Sequence, residues 1–218
     1  ASQQVVCLDG AGGGPLWTYH NGSYNYVMRL VTIDDVDGDG VRDVAVGSWW
    51  RGLPVVSGRT GEQLWISYAG TENGGDFWTV AGVDDVDGDG LGEVAGGSFD
   101  GHVYLFSGVD GDTLWTYDTG NRLYAVSGAP DLSGSGSPDV LAGTQYQYGG
   151  GRGYALQGGD QATAAPDLPE AAGQAVTRAG GAVALSWTLT EPLPCVVDRI
   201  VTQDGAKARD ERRTLAEA

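Results

Sequence analysis

Apolar positions along this chain come in short runs, roughly four to eight residues each, bounded by Gly and Asp. Val, Tyr, Trp and Thr dominate the runs, which suits pleated strands better than helices. The runs are ordered. Val44–Ser48, Val94–Ser98 and Val140–Thr144 each end in Gly-Ser or Gly-Thr. A second run follows each and closes on a turn: Val55-Val-Ser-Gly58, Leu105-Phe-Ser-Gly108 and Ala155-Leu-Gln-Gly158. A third opens with Leu64-Trp65 and Leu114-Trp115. The N-terminus holds a partial copy, Val6-Cys-Leu-Asp-Gly10 followed by Leu16-Trp17-Thr-Tyr19.

An acidic stretch precedes the first run of each set. Asp35-Val-Asp-Gly-Asp-Gly-Val-Arg-Asp43 recurs as Asp85-Val-Asp-Gly-Asp-Gly-Leu-Gly-Glu93, and again as Asp131-Leu-Ser-Gly-Ser-Gly-Ser-Pro-Asp139, with starts 50 and 46 residues apart. Each repeat reads strand, acidic loop, strand, turn, strand, turn, strand. Four short strands in about 40–50 residues is the spacing of a β-propeller blade. The expected fold class is therefore all-β. Two strands come first, then two full blades, then three strands, about three blades in all, and thirteen strands leave the ring incomplete. The blades take residues 1–158 and a Gly, Ala, Pro and Gln-rich linker takes 159–181. Residues 182–218 form a short β-rich segment with strands expected at 182–189 and 195–201, and Pro192 and Pro194 in the turn between them.

Composition sharpens this picture. Gly contributes 38 of 218 residues, consistent with many tight turns. Net charge is −17, and residues 1–160 carry −15 of it, with 6 Arg against 21 acids. Such a surface disfavours nucleic-acid backbone and anionic membranes. No apolar stretch approaches the length of a membrane span, so neither nucleic acid nor membrane insertion is expected. Cys7 and Cys195 leave one disulfide open as an option.

The acidic loops are candidate cation sites. Ca2+ takes six to eight hard oxygens, and acids at positions 1, 3, 5 and 9 of a tight loop can converge on one point. The expected donors are Asp35, Asp37, Asp39, the carbonyl of Val41, and Asp43; then Asp85, Asp87, Asp89, the carbonyl of Leu91, and Glu93. In the third loop Asp131, Ser133, Ser135, the carbonyl of Ser137, and Asp139 hold the same places, with half the carboxylates. An EF-hand is excluded, because position 12 is Val46 in the first loop and Gly96 in the second instead of Glu.

These loops, at blade spacing over residues 4–158, resemble the FG-GAP family of calcium-loop propeller repeats found in integrin-type heads and many secreted bacterial proteins. The Leu-Trp strands also resemble quinoprotein-type blades. The Ser186-Trp-Thr-Leu189 strand is similar to the start of immunoglobulin- or fibronectin-like modules. The resemblance implies a secreted or cell-surface protein, bacterial in origin, stabilised by Ca2+ and used for binding, adhesion or assembly.

The remaining residues point away from catalysis. His20 and His102 occupy different repeat positions, and no nucleophile elbow, metal-binding histidine pair or phosphate loop is present. The chain is read as a non-enzyme. The alternatives are a fragment of a secreted propeller enzyme, of quinoprotein dehydrogenase or polysaccharide lyase type, and a structural subunit of an extracellular filament. Trp17, Trp65 and Trp115 recur at one repeat position, as inter-blade core would. Trp49-Trp50, Ser98-Phe-Asp-Gly101 and Tyr146-Gln-Tyr148 directly follow the second strand. Aromatics there suit a rim that stacks on a carbohydrate or docks a protein. Open blade edges also predict self-association or strand exchange.

Overall fold

The alternating runs become thirteen strands in four antiparallel sheets. The computed structural model describes residues 2–23, 25–69, 76–145 and 151–159, and beyond these only the backbone of four short strands. A hairpin comes first, β1 (Ser2–Leu8) with β2 (Pro15–Ser23). The first full blade is β3 (Tyr26–Thr32), β4 (Val44–Trp49), β5 (Leu53–Val56) and β6 (Gln63–Ser67). The second is β7 (Phe77–Val83), β8 (Glu93–Ser98), β9 (His102–Phe106) and β10 (Thr113–Asp118). The third sheet has β11 (Leu123–Ala129), β12 (Asp139–Thr144) and β13 (Gly153–Gln157). Each sheet pairs its strands in sequence order, the up-and-down meander of a propeller blade. The ring is incomplete.

Blades bury both faces, so their central strands lose the alternation of a half-exposed sheet. Every residue of β8 is buried. Three apolar clusters fill the gaps between successive sheets. Val5 and Tyr19 of the hairpin meet Val46 and Val56. Ala45, Leu53, Val55 and Trp65 of the first blade meet Phe77, Val80, Tyr104 and Phe106 of the second. Val83, Val103, Leu105 and Trp115 then meet Leu123, Val140, Tyr154 and Leu156.

The recurring tryptophans fasten these layers. Trp17 Nε1 donates to the Gly58 carbonyl, Trp65 Nε1 to that of Gly108, and Trp115 Nε1 to that of Gly158, each at 2.8 Å. Each acceptor closes the turn between the third strand and the fourth-strand position in the next sheet. Gly61 and Gly111 lie under the first two rings, with φ of +73° and +77°. A Cβ at either would run into the indole of Trp17 or Trp65. The N-terminal hairpin is therefore the outer half of a blade, docked as the full blades are.

The backbone beyond residue 159 adds β14 (Gln174–Ala179) paired with β15 (Ala182–Trp187), and the short pair β16 (Gln203–Asp204) and β17 (Lys207–Ala208). β14 falls within the segment read as linker. β15 runs beside β13, on the edge where a fourth strand belongs, but in a separate sheet. The edge that strand exchange would use is thus flanked by the chain's own strand. The expected strand at 195–201, and with it any Cys7–Cys195 bond, lies outside the described residues. Among the described residues no helix is long and apolar enough to cross a membrane.

Candidate metal centre

Each acidic loop joins the first strand of a sheet to the second, so all three sit at the same end of the blades. Paired glycines shape them. Gly38 and Gly40, Gly88 and Gly90, and Gly134 and Gly136 all have positive φ. This backbone turns the N–H groups inward onto the first acid of the loop. Asp35 accepts from Asp39 N at 3.0 Å and Gly40 N at 2.7 Å. Asp85 accepts from Gly88 N at 2.7 Å and Gly90 N at 2.9 Å.

The second loop is the fullest cluster. Asp85, Asp87, Asp89 and Glu93 each place a carboxylate oxygen within 4.8 Å of the others. Glu93 is 1% exposed, and its Oε2 accepts from Val86 N at 2.8 Å. Burial pushes its carboxyl up to about 7, and the charges of Asp87 and Asp85 add to the rise, against the Val86 hydrogen bond. No ion pair reaches this loop among the described residues. A hard divalent cation would supply the missing positive charge, and this oxygen-only donor set fits Ca2+.

The first loop gathers Asp35, Asp37 and Asp39 within the same 4.8 Å. Asp43 stands apart from that group. It is fully buried, with Oδ2 accepting from Val36 N at 2.8 Å and Oδ1 from Gly58 N at 2.9 Å. It ties the loop to the β5–β6 turn, and burial raises its carboxyl. Glu93, one methylene longer at the equivalent position, both caps its loop and joins the cluster. Arg59 also differs between the two sites. Its Nε lies 3.1 Å from Asp39 Oδ2, and its Nη2 donates to the Asp39 carbonyl at 2.6 Å. Val109 takes the same turn position in the second blade, so among the described residues only the first loop carries a built-in cation.

The third loop closes on itself. Asp131 accepts from Gly134, Ser135 and Gly136 N–H groups, led by Gly136, which holds its carboxyl below the usual range. The Ser133 hydroxyl donates to Asp139 Oδ1 at 3.1 Å and the Ser135 hydroxyl to the Ser137 carbonyl at 3.3 Å. Asp139, raised by burial, accepts from Leu132 and Ser133 N–H at 2.7 Å each. Neutral hydroxyls replace two charges, and the loop is satisfied by its own donors.

Two contacts carry no motif in the sequence. Arg59 lies 20 residues beyond Asp39, in a turn that carried no motif. Asp34 Oδ2 accepts from Gly92 N at 3.1 Å, linking the first loop to the second. Asp34 directly precedes the motif, and an extra acid there was the one available signal. At the other end of the blades, Trp49 and Trp50 touch, with ring centroids 5.2 Å apart. Tyr146 and Tyr148 lie outside the described residues.

No family model matches the chain, and no curated protein does. It is similar to several solved structures. BamB from Moraxella catarrhalis is 22% identical, with a TM-score of 0.43 over 66% of this chain and 37% of that one. The Dos1 propeller is 15% identical, with a TM-score of 0.43 over 71% and 37%. BBS1N, solved in complex with ARL6DN, is 12% identical, with a TM-score of 0.46 over 87% and 54%. The chain thus spans 37%, 37% and 54% of these proteins. The blade architecture rests on strand order, register and the repeated indole contacts, independently of these likenesses.

Proposed function

We propose that this chain is a calcium-stabilised, non-enzymatic propeller module that works outside the cell in binding or assembly. The observation that carries the reading is the second loop. Four carboxylates converge there, one of them buried, with no cationic side chain among the described residues to balance them. Asp85, Asp87, Asp89 and Glu93 would hold one ion, and Asp35, Asp37 and Asp39 a second. The ion supplies charge neutralisation and ties the first two strands of a blade together. Asp43, through Val36 and Gly58, supports the first loop from behind.

Thermal melting in Ca2+ and in chelator tests this. Ligand that binds only the folded state adds about 2.7 kcal/mol per site at a hundredfold excess over Kd. For a chain of this size that is a rise of roughly 5–11 °C per site. An identical melt in chelator would refute the reading.

A further inference from the structure

The end of the blades opposite the acidic loops carries a continuous layer of rings. Register places it there, since Tyr26 pairs with Trp49 at one end of the β3–β4 ladder and Thr32 with Val44 at the loop end. Tyr26 and Trp49 have ring centroids 5.8 Å apart, Trp49 and Trp78 5.8 Å, and Trp78 and Tyr124 5.7 Å. Phe99 stacks on Trp78 at 4.4 Å, and Trp50 leans on Trp49. Six rings thus join three successive sheets.

Two local devices present these rings. The first strand of each sheet slips register at one shared place, between Val27 and Arg29, Phe77 and Thr79, and Leu123 and Ala125. The extra residue is Met28, Trp78 or Tyr124, and such bulges re-aim a side chain. The second device is Trp50, among the described residues the one non-glycine residue with positive φ, at +71°. A bulky residue in that region is strained, and such strain gathers at functional sites. The Trp50 N–H donates to Asp76 Oδ1 at 3.0 Å, which holds the strained turn with the indole 50% exposed.

The surface is also sorted by chemistry. Among the described residues, the exposed Tyr and Trp side chains are Tyr26, Trp50, Tyr68 and Tyr124, and all four lie at this end. The exposed Leu and Val side chains lie at the loop end or along the strands. Arg122 also sits here, its guanidinium 5.1 Å over the Phe99 ring, whereas Arg51 turns away to donate to Gln63 at 3.0 Å and lies over the Tyr19 ring. Asp100 is already engaged by the Tyr104 hydroxyl and His102 N. Flat rings with polar edges, flanked by a guanidinium donor, suit a ligand with apolar C–H faces and an oxygen-rich rim.

We propose that this platform binds a carbohydrate chain. Pyranose faces stack on Trp50 and on the Trp78–Tyr124 pair, and Arg122 donates to ring oxygens or a uronate carboxylate. The proposal deepens the binding-module reading and does not depend on the metal.

The test is tryptophan fluorescence and calorimetric titration of the full chain in saturating Ca2+, with cellohexaose, chitohexaose and hexagalacturonate. At least one should give a saturable change. Trp50→Ala should weaken it about tenfold, the loss of roughly one ring contact. Tyr124→Ala should act in the same direction, and Val109→Ala, exposed at the loop end, should change nothing. Arg122→Ala weakening only hexagalacturonate identifies an acidic glycan, and equal loss on all three identifies a neutral one. No binding of any probe at millimolar concentration, or binding unaltered by Trp50→Ala, overturns the proposal. Calcium dependence of the melt is read separately, so the two readings fail independently.

Discussion

Replacing Trp65 with Phe tests what holds blade to blade. Trp65 is 8% exposed, and its Nε1 donates to the Gly108 carbonyl at 2.8 Å. Phe keeps an aromatic ring but removes the donor, which leaves that carbonyl unpaired in the interface. An unsatisfied buried group costs about 1–3 kcal/mol. The smaller ring also opens space over Gly111, adding about 1 kcal/mol. At roughly 2–4 °C per kcal/mol, a total of 2–4 kcal/mol lowers Tm by about 4–16 °C. Differential scanning calorimetry reads this directly. Trp50→Phe is the control, because an exposed ring without such a bond should shift stability by no more than about 0.5 kcal/mol. Gly111→Ala attacks the same contact from the other side, adding a Cβ against the indole at φ +77°, and should destabilise comparably. If Trp65→Phe melts with Trp50→Phe, the indole bonds are not what fastens the blades.

Other expectations concern the loops. In chelator, the Glu93 carboxyl titrates near 7 in the folded chain, against 4.5 when unfolded. Between those values the folded state holds the extra proton, so stability should rise as pH falls from 7 towards 4.5, by up to about 3 kcal/mol. Asp43 and Asp139 push the same way and Asp131 the opposite way. With Ca2+ bound, protons compete with the ion and the slope should reverse, so chelator melts that fall steadily from pH 7 to 5 would contradict this. Arg59→Ala should tighten Ca2+ at the first loop several-fold by freeing Asp39, and an unchanged or weaker affinity in calorimetry would show that the ion pair does not compete.

Much of the fold was legible because it repeats. The acidic loops marked the first-to-second-strand connection, and the Leu-Trp runs marked the fourth strand, so thirteen strands and their order could be read. What the pattern does not carry is register. The slips at Met28, Trp78 and Tyr124 leave no trace in hydrophobicity, yet they turn two of those rings onto the far face. Reach is also invisible. Asp43 and Glu93 share a motif position, and only geometry shows that Asp43 spends both oxygens on backbone N–H groups while the longer Glu93 reaches the cluster. The recurring tryptophans read as core, but their bonds to glycine carbonyls 41 or 43 residues away depend on how the sheets stack. β14 has no signature in the sequence, because Gly and Ala around it carry no periodicity.

The most direct test of a calcium-stabilised module is isothermal titration of Ca2+ into the chelator-stripped chain, beside Glu93→Gln. Two strong sites are expected from the first two loops, with a weaker third from the serine-bearing loop. Glu93→Gln should remove one strong site and leave the other intact. The absence of any site tighter than millimolar, or two unaltered strong sites in Glu93→Gln, would contradict it.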